Sequence, residues 1–113
     1  DREPVKNWSN GKMTLLGDAA HPTLQYLAAG AGMAIEDAVV LADFLEKNDC
    51  TIEETFKHYQ QARYLRTGQV QAMARLYGQI YHAGDVVAEL RTKMFKDKDP
   101  QNYDGISWLY DGI

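Results

Sequence analysis

The sequence predicts a mainly helical chain with one β-strand near its start, on three observations. An apolar run, Met13-Thr14-Leu15-Leu16, stops at Gly17. Apolar residues then occupy nearly every side of the stretch from Met33 to about Lys47. Beyond it, Thr51-Ile52-Glu53-Glu54 has the pattern of a capping box. It opens a stripe, Phe56, Tyr59, Arg63, Arg66, Val70, Met73, Tyr77 and Ile80, whose spacing alternates between three and four residues.

Taken in order, the first ten residues are polar and turn-rich and read as a connecting segment, with Asn10-Gly11 as a hairpin turn. The strand Met13–Leu16 follows. One strand cannot satisfy its own ladder hydrogen bonds, so the rest of its sheet is expected in sequence outside this chain, which is read as a fragment. The start at Asp1, without a methionine, points the same way. The helix from Met33 is apolar all round, as in helices buried inside a larger body, and carries Glu36 and Asp37 in its first turn, where negative charge suits the helix dipole. Asn48-Asp49-Cys50 breaks it. Thr51 then caps a helix of about thirty residues, in which Gly68 and Gly78 each cost up to about 1 kcal/mol relative to alanine. Arg63 and Arg66 lie in its apolar stripe, where they either meet acid or carbonyl partners or snorkel to solvent. Ala83-Gly84 ends that helix, and Asp85 caps a shorter one through Leu90 and Met94 to Phe95. An exposed loop, Lys96 to Pro100, leads to a last turn or two from Tyr103 to Tyr110 that is expected to pack back onto the body.

With 113 residues, 45% of them hydrophobic and 25% charged, the chain has the make-up of one soluble domain. A net charge of −4 gives no electrostatic reason to expect nucleic acid or an anionic membrane as partner. No apolar run nears the roughly 20 residues of a membrane span. Cys50 is the single cysteine, which rules out a disulfide framework within the chain and fits a cytoplasmic location. His21, His58 and His82 show no metal-ligand spacing, so no metal site is expected. There is no Gly-x-Ser-x-Gly elbow and no P-loop. The group Tyr59, Tyr64, Tyr77 and Tyr81 reads as packing or as a subunit interface.

The chemistry concentrates in Gly17-Asp18-Ala19-Ala20-His21-Pro22 and the following Gly30-Ala31-Gly32. An acid just past a strand end can turn its carboxylate toward a ligand hydroxyl, for which it is a strong acceptor. The alternative for Asp18 is a turn cap. Gly30, Ala31 and Gly32 let a flat ligand approach the backbone closely, and the free N–H groups of the helix beginning there favour partial negative charge. His21, next to a proline in a loop, is more often structural than a general base.

The segment Gly17-Asp18-Ala19-Ala20-His21-Pro22 with Gly30-Ala31-Gly32-Met33-Ala34-Ile35-Glu36-Asp37-Ala38 resembles the second flavin-binding motif of the single-component FAD-dependent aromatic hydroxylases, the p-hydroxybenzoate hydroxylase group. Thr23-Leu24-Gln25-Tyr26-Leu27-Ala28-Ala29, Ile80-Tyr81-His82-Ala83 and Trp108-Leu109-Tyr110 are most similar to the branch that hydroxylates 3-hydroxybenzoate, with the salicylate hydroxylases as the other candidate. The resemblance implies the C-terminal part of an α/β FAD-binding monooxygenase fold. It divides the chain into a linker, strand and flavin-facing loop over residues 1–32 and the C-terminal helical part of the FAD-binding domain over 33–113.

It also implies roles. Asp18 binds the ribityl chain of FAD, Pro22 of the same motif is a further cofactor-binding residue, and the backbone of Gly30, Ala31, Gly32 and Met33 meets the pyrimidine edge of the flavin. NADH or NADPH reduces the flavin, which then uses O2 to hydroxylate a phenolic acid. Gln25, seven residues past Asp18, falls on the loop beside the aromatic substrate, where its amide can both donate and accept; the alternative is a solvent-facing loop glutamine. The family's N-terminal Gly-x-Gly-x-x-Gly and its substrate sheet have no counterpart in this sequence. The partners implied are the aromatic substrate, the remainder of a parent chain and a possible second copy in a homodimer. A different class of reading, a non-catalytic helical interaction fragment, rests on the long helix.

Overall fold

A computed structural model describes residues 1–47 and 49–111. Asn48, read as part of a helix break, and the last two residues of the 33–113 part lie outside the described residues. The chain is mainly helical, as expected, but its β-structure is a two-stranded antiparallel hairpin and not one strand. β1 (Ser9–Asn10) pairs with β2 (Met13–Thr14) in the register Ser9↔Thr14 and Asn10↔Met13. The central turn residues are therefore Gly11 and Lys12, one position later than the sequence suggests, with Gly11 supplying a φ of +56°. Polar Ser9 and Asn10 carried no strand signal. They pair because Ser9 Oγ lies 2.8 Å from Thr14 Oγ1 and the Gln60 side-chain oxygen accepts from the Trp8 and Ser9 N–H groups.

α1 (Gly30–Lys47) begins three residues before the apolar pattern does. Glycine and alanine carry no periodicity, yet the Met33 N–H already donates to the Ala29 carbonyl at 2.9 Å. α2 (Ile52–Tyr81) runs thirty residues from the predicted Thr51 cap: Thr51 Oγ1 accepts from the Glu54 N–H and Glu54 accepts from the Thr51 N–H. α3 (Asp85–Asp97) is capped by the backbone of Gly84 and not by the Asp85 side chain. Gly84 is extended and its carbonyl takes the Ala88 N–H, while Asp85 sits at φ +47°. α4 (Ser107–Tyr110) closes the described chain.

Two small apolar clusters hold these elements. In one, Trp8, Ala20 and Tyr59 are buried, with Val40, Leu41 and Phe44 packed against them. In the other, Met33 of α1, Val70 of α2 and Leu109 of α4 meet, with Leu27, Ala29 and Trp108 at the margin. The C-terminal turn thus does pack back onto the body. α1 buries only Met33 and Asp37 within the chain, leaving Ile35, Val39 and Leu45 exposed on its other side. No helix among the described residues is long and apolar enough to cross a membrane.

Candidate functional site

The site grows from the end of the hairpin. Gly17 adopts φ +59°, and a Cβ there would stand 3.2 Å from the Ala34 Cβ, so glycine lets the chain turn tightly against α1. A 3-10 turn, Gly17–Ala19, follows, closed by the Ala20 and His21 N–H groups on the Gly17 carbonyl. Arg2 reaches over to the Ala19 and Ala20 carbonyls at 2.7 and 2.8 Å.

Asp18 does not cap this turn. Leu16 is its N-cap residue, without a side-chain hydrogen bond, and Asp18 is exposed with no hydrogen-bond partner among the described residues. Its Oδ1 lies 4.0 Å from where a Cβ on Gly30 would stand, which puts the carboxylate beside the N-terminus of α1. Because α1 starts at Gly30, its uncommitted first-turn donors are those of Gly30, Ala31 and Gly32. Ala31 and Gly32 are exposed, and a Cβ on Gly32 would meet nothing within 4 Å. Met33 differs from the expectation. Its N–H is spent on Ala29 and its side chain is core, 3% exposed. The early helix start removes it from the donor set.

Pro22 is anchored from behind, its carbonyl accepting from Gln71 Nε2 at 3.0 Å; the same nitrogen also donates to the Arg2 carbonyl. Gln25 opens a second 3-10 turn, Gln25–Leu27, closed by the Ala28 N–H, and is itself exposed. Asp18 and the first turn of α1 are therefore neighbours at the surface, and Gln25 is exposed on the loop between them in sequence.

The structural contacts behind them centre on residues whose part the sequence reading missed. Asp37, fully buried, accepts from His21 Nε2 at 2.5 Å, Arg63 Nε at 2.7 Å and the Gly17 N–H at 3.0 Å. Burial alone raises a carboxyl pKa, but the hydrogen bonds from His21, Arg63 and Gly17 outweigh it and hold Asp37 below the ordinary carboxylate value. Glu36 takes a bidentate pair from Arg66 at 2.6 and 2.7 Å and a further contact from Arg63 at 2.9 Å. The Arg66 hydrogen bonds lower its carboxyl against the opposing effect of burial, with Arg63 adding to the shift. Burial, and then the Asp37 charge, push the Tyr59 phenol up.

With α1 starting at Gly30, Glu36 and Asp37 are its seventh and eighth residues, well past the first turn, and serve these arginines, not the helix dipole. Arg63 and Arg66 are paired, the first of the two alternatives open to them. His21, 2% exposed and 5.5 Å from the Trp8 ring, is structural. The signal that could have found Asp37 was Arg63 itself: a cation in an apolar stripe needs an acid, and Asp37 lies on a helix apolar on nearly every side. The described residues contain no cluster able to hold a metal ion.

No family model matches the sequence. Among curated proteins, the 3-hydroxybenzoate 6-hydroxylase of Polaromonas naphthalenivorans is 46% identical over 111 residues and that of Klebsiella oxytoca 44% over 111 residues. A 3-amino-4-hydroxybenzoate 2-monooxygenase of Streptomyces platensis is 39% identical over 110 residues. Each alignment covers 97% of this chain and 28% of the relative, so the chain spans little more than a quarter of the length of the proteins it matches. Over nearly its whole length, the chain is thus homologous to one segment of the 3-hydroxybenzoate 6-hydroxylases.

Proposed function

We propose that this chain forms the flavin-facing wall of an FAD-dependent monooxygenase that hydroxylates a phenolic acid such as 3-hydroxybenzoate, using NADH or NADPH and O2. The observation that carries the reading is the uncommitted Asp18 carboxylate beside the open N-terminus of α1. A polyol next to an electron-rich flat edge matches that pairing of one acceptor with a row of donors. The residues present fit FAD on this ground. Asp18 would take a ribityl hydroxyl, and the Gly30, Ala31 and Gly32 amides would face the pyrimidine edge. The bare Gly32 surface leaves room for close approach. Bound FAD would supply the electron transfer and oxygen chemistry.

This chain's own residues do the holding. Asp37 ties Gly17 and His21 to Arg63, so the loop bearing Asp18 and the helix bearing the donors keep a fixed separation. Gln25, exposed on its turn, is available to orient the phenol or carboxylate of the substrate by donating and accepting at once. On this reading residues 1–32 contribute the loop and 33–113 the helical part of the FAD-binding domain.

The test is made on the full-length protein that contains this chain. Purified, it should carry a yellow flavin and convert 3-hydroxybenzoate to a dihydroxylated product with matching consumption of a reduced nicotinamide. Colourless protein that gains no flavin on incubation with FAD refutes the reading.

A further inference from the structure

We infer that Gly78 of α2 is a positioning residue, which seats the Tyr26 ring and thereby fixes where the neighbouring Gln25 amide stands against the aromatic substrate. The inference rests on the reading of Gln25 just proposed. A Cβ on Gly78 would lie 2.6 Å from Tyr26 Cε2, 2.9 Å from Cδ2 and 3.3 Å from Cζ, so the ring occupies the space a side chain would take. Glycine is a poor helix residue, and Gly78 is buried in a thirty-residue helix. The close approach of Tyr26 is what requires it. By contrast, a Cβ on Gly68 would make only ordinary contact, 3.4 Å from Pro4 Cβ.

The ring is held on its other sides as well. Its centroid is 5.6 Å from that of His82, edge-on, and 6.0 Å from that of Tyr81. The His82 ring is fixed in turn by its Nδ1, which donates to the Gly78 carbonyl at 2.9 Å. Tyr26 is the middle residue of the turn Gln25–Leu27, and Leu27 packs against the Met33–Val70–Leu109 cluster. With Tyr26 and Leu27 both turned to the body, Gln25 is the residue of this turn left exposed. Besides the Leu27 packing, the loop is pinned to α2 at Gln71 through the Pro22 carbonyl and at Gly78 through Tyr26. Seven residues of helix separate the pins, about 10.5 Å along one face at 1.5 Å per residue. Asp18 instead follows Gly17 and precedes His21, which are both tied to Asp37 and not to these pins. Substrate placement and flavin retention should therefore come apart on mutation.

The test compares Gly78→Ala, Tyr26→Leu and Tyr26→Phe in the full-length protein, with Gly68→Ala as the control glycine. Four quantities are read: FAD content, the Kd for 3-hydroxybenzoate by calorimetry, peroxide formed per reduced nicotinamide consumed, and hydrogen exchange of the Ala28 amide that closes the turn. Gly78→Ala must displace the ring by about 1 Å, and a misplacement of that size costs up to about a hundredfold in a positioned reaction. Gly78→Ala should keep its FAD, raise the substrate Kd by about tenfold or more, release more peroxide and speed Ala28 exchange. Gly68→Ala should do none of this.

Tyr26→Leu should behave like Gly78→Ala, and Tyr26→Phe, which keeps the ring, should recover most of what Tyr26→Leu loses. Unchanged Kd and peroxide yield in Gly78→Ala overturn the inference, as does a loss of FAD in step with substrate affinity. If Gly78→Ala does not fold, the Tyr26→Leu and Tyr26→Phe pair decides, and equal behaviour of the two overturns it. A wild-type protein that binds no FAD brings down the underlying reading instead, a result visible before any variant is made.

Discussion

Replacing Asp37 by asparagine should destabilise the chain by about 3 kcal/mol. The carboxylate is fully buried and both its oxygens are used: Oδ2 accepts from His21 and from the Gly17 N–H, and Oδ1 from Arg63. An amide has the same shape but only one acceptor atom, so its NH2 group must face a donor on one side or the other. It also leaves the Arg63 guanidinium, 1% exposed, without its buried counter-ion. Breaking a buried pair by removing one partner typically costs about 3–5 kcal/mol. Glu36 remains 2.9 Å from Arg63 NH1, which argues for the lower end of that range. Urea unfolding followed by far-UV circular dichroism and by the fluorescence of Trp8, which packs on His21, measures the loss. With a slope near 1.5 kcal/mol/M the midpoint should fall by about 2 M. In a cycle with Arg63→Met the double variant should lose at least about 1 kcal/mol less than the two single losses added together. A loss below about 1 kcal/mol for Asp37→Asn, or strict additivity in the cycle, refutes the account of Asp37 as the node of this network.

Three further outcomes follow from the same geometry. Glu36 and Asp37 both titrate below their ordinary values of 4.5 and 3.8, so the stability they contribute is present above about pH 4.5 and lost as pH falls through their folded values. Unfolding free energy should drop below about pH 4, and a profile that stays flat in acid contradicts the pairing. Gly32→Ala should raise the stability of the ligand-free protein by up to about 1 kcal/mol, since it adds a better helix residue in open space, yet weaken FAD binding by covering the face the flavin is proposed to approach. Equal FAD affinity for both forms removes Gly32 from the wall. Gln25→Leu in the full-length protein should lower hydroxylation and raise peroxide yield with FAD content unchanged, and wild-type turnover in product assays would exclude Gln25 from substrate contact.

Much of this was legible because it is local. The Thr51 capping box and the three-four stripe fixed α2 from its cap to its end, and the arginines within that stripe raised buried acid partners as one of two alternatives. What escaped were features that depend on a distant partner or on residues without a pattern. Ser9 and Asn10 form a strand only because Gln60 of α2 and Thr14 receive them. The first turn of α1 consists of glycine and alanine, which carry no hydrophobic period, so the start was read at Met33 and its amide counted among the free donors. Asp37 reads locally as a dipole-stabilising acid; its burial is set by Arg63, 26 residues away, and by His21. Gly78 reads as a defect until Tyr26, far off in sequence, is seen lying on it.

The central claim, that Asp18 beside the α1 N-terminus holds a flavin, is tested most directly by the Kd for FAD of the full-length protein and of its Asp18→Ala variant. Flavin fluorescence quenching gives the Kd, and circular dichroism serves as the control for folding. Loss of a charge-assisted hydrogen bond of about 1.5–3 kcal/mol should raise the Kd between about tenfold and a hundredfold while the fold stays intact. The same Kd for both proteins would contradict the claim.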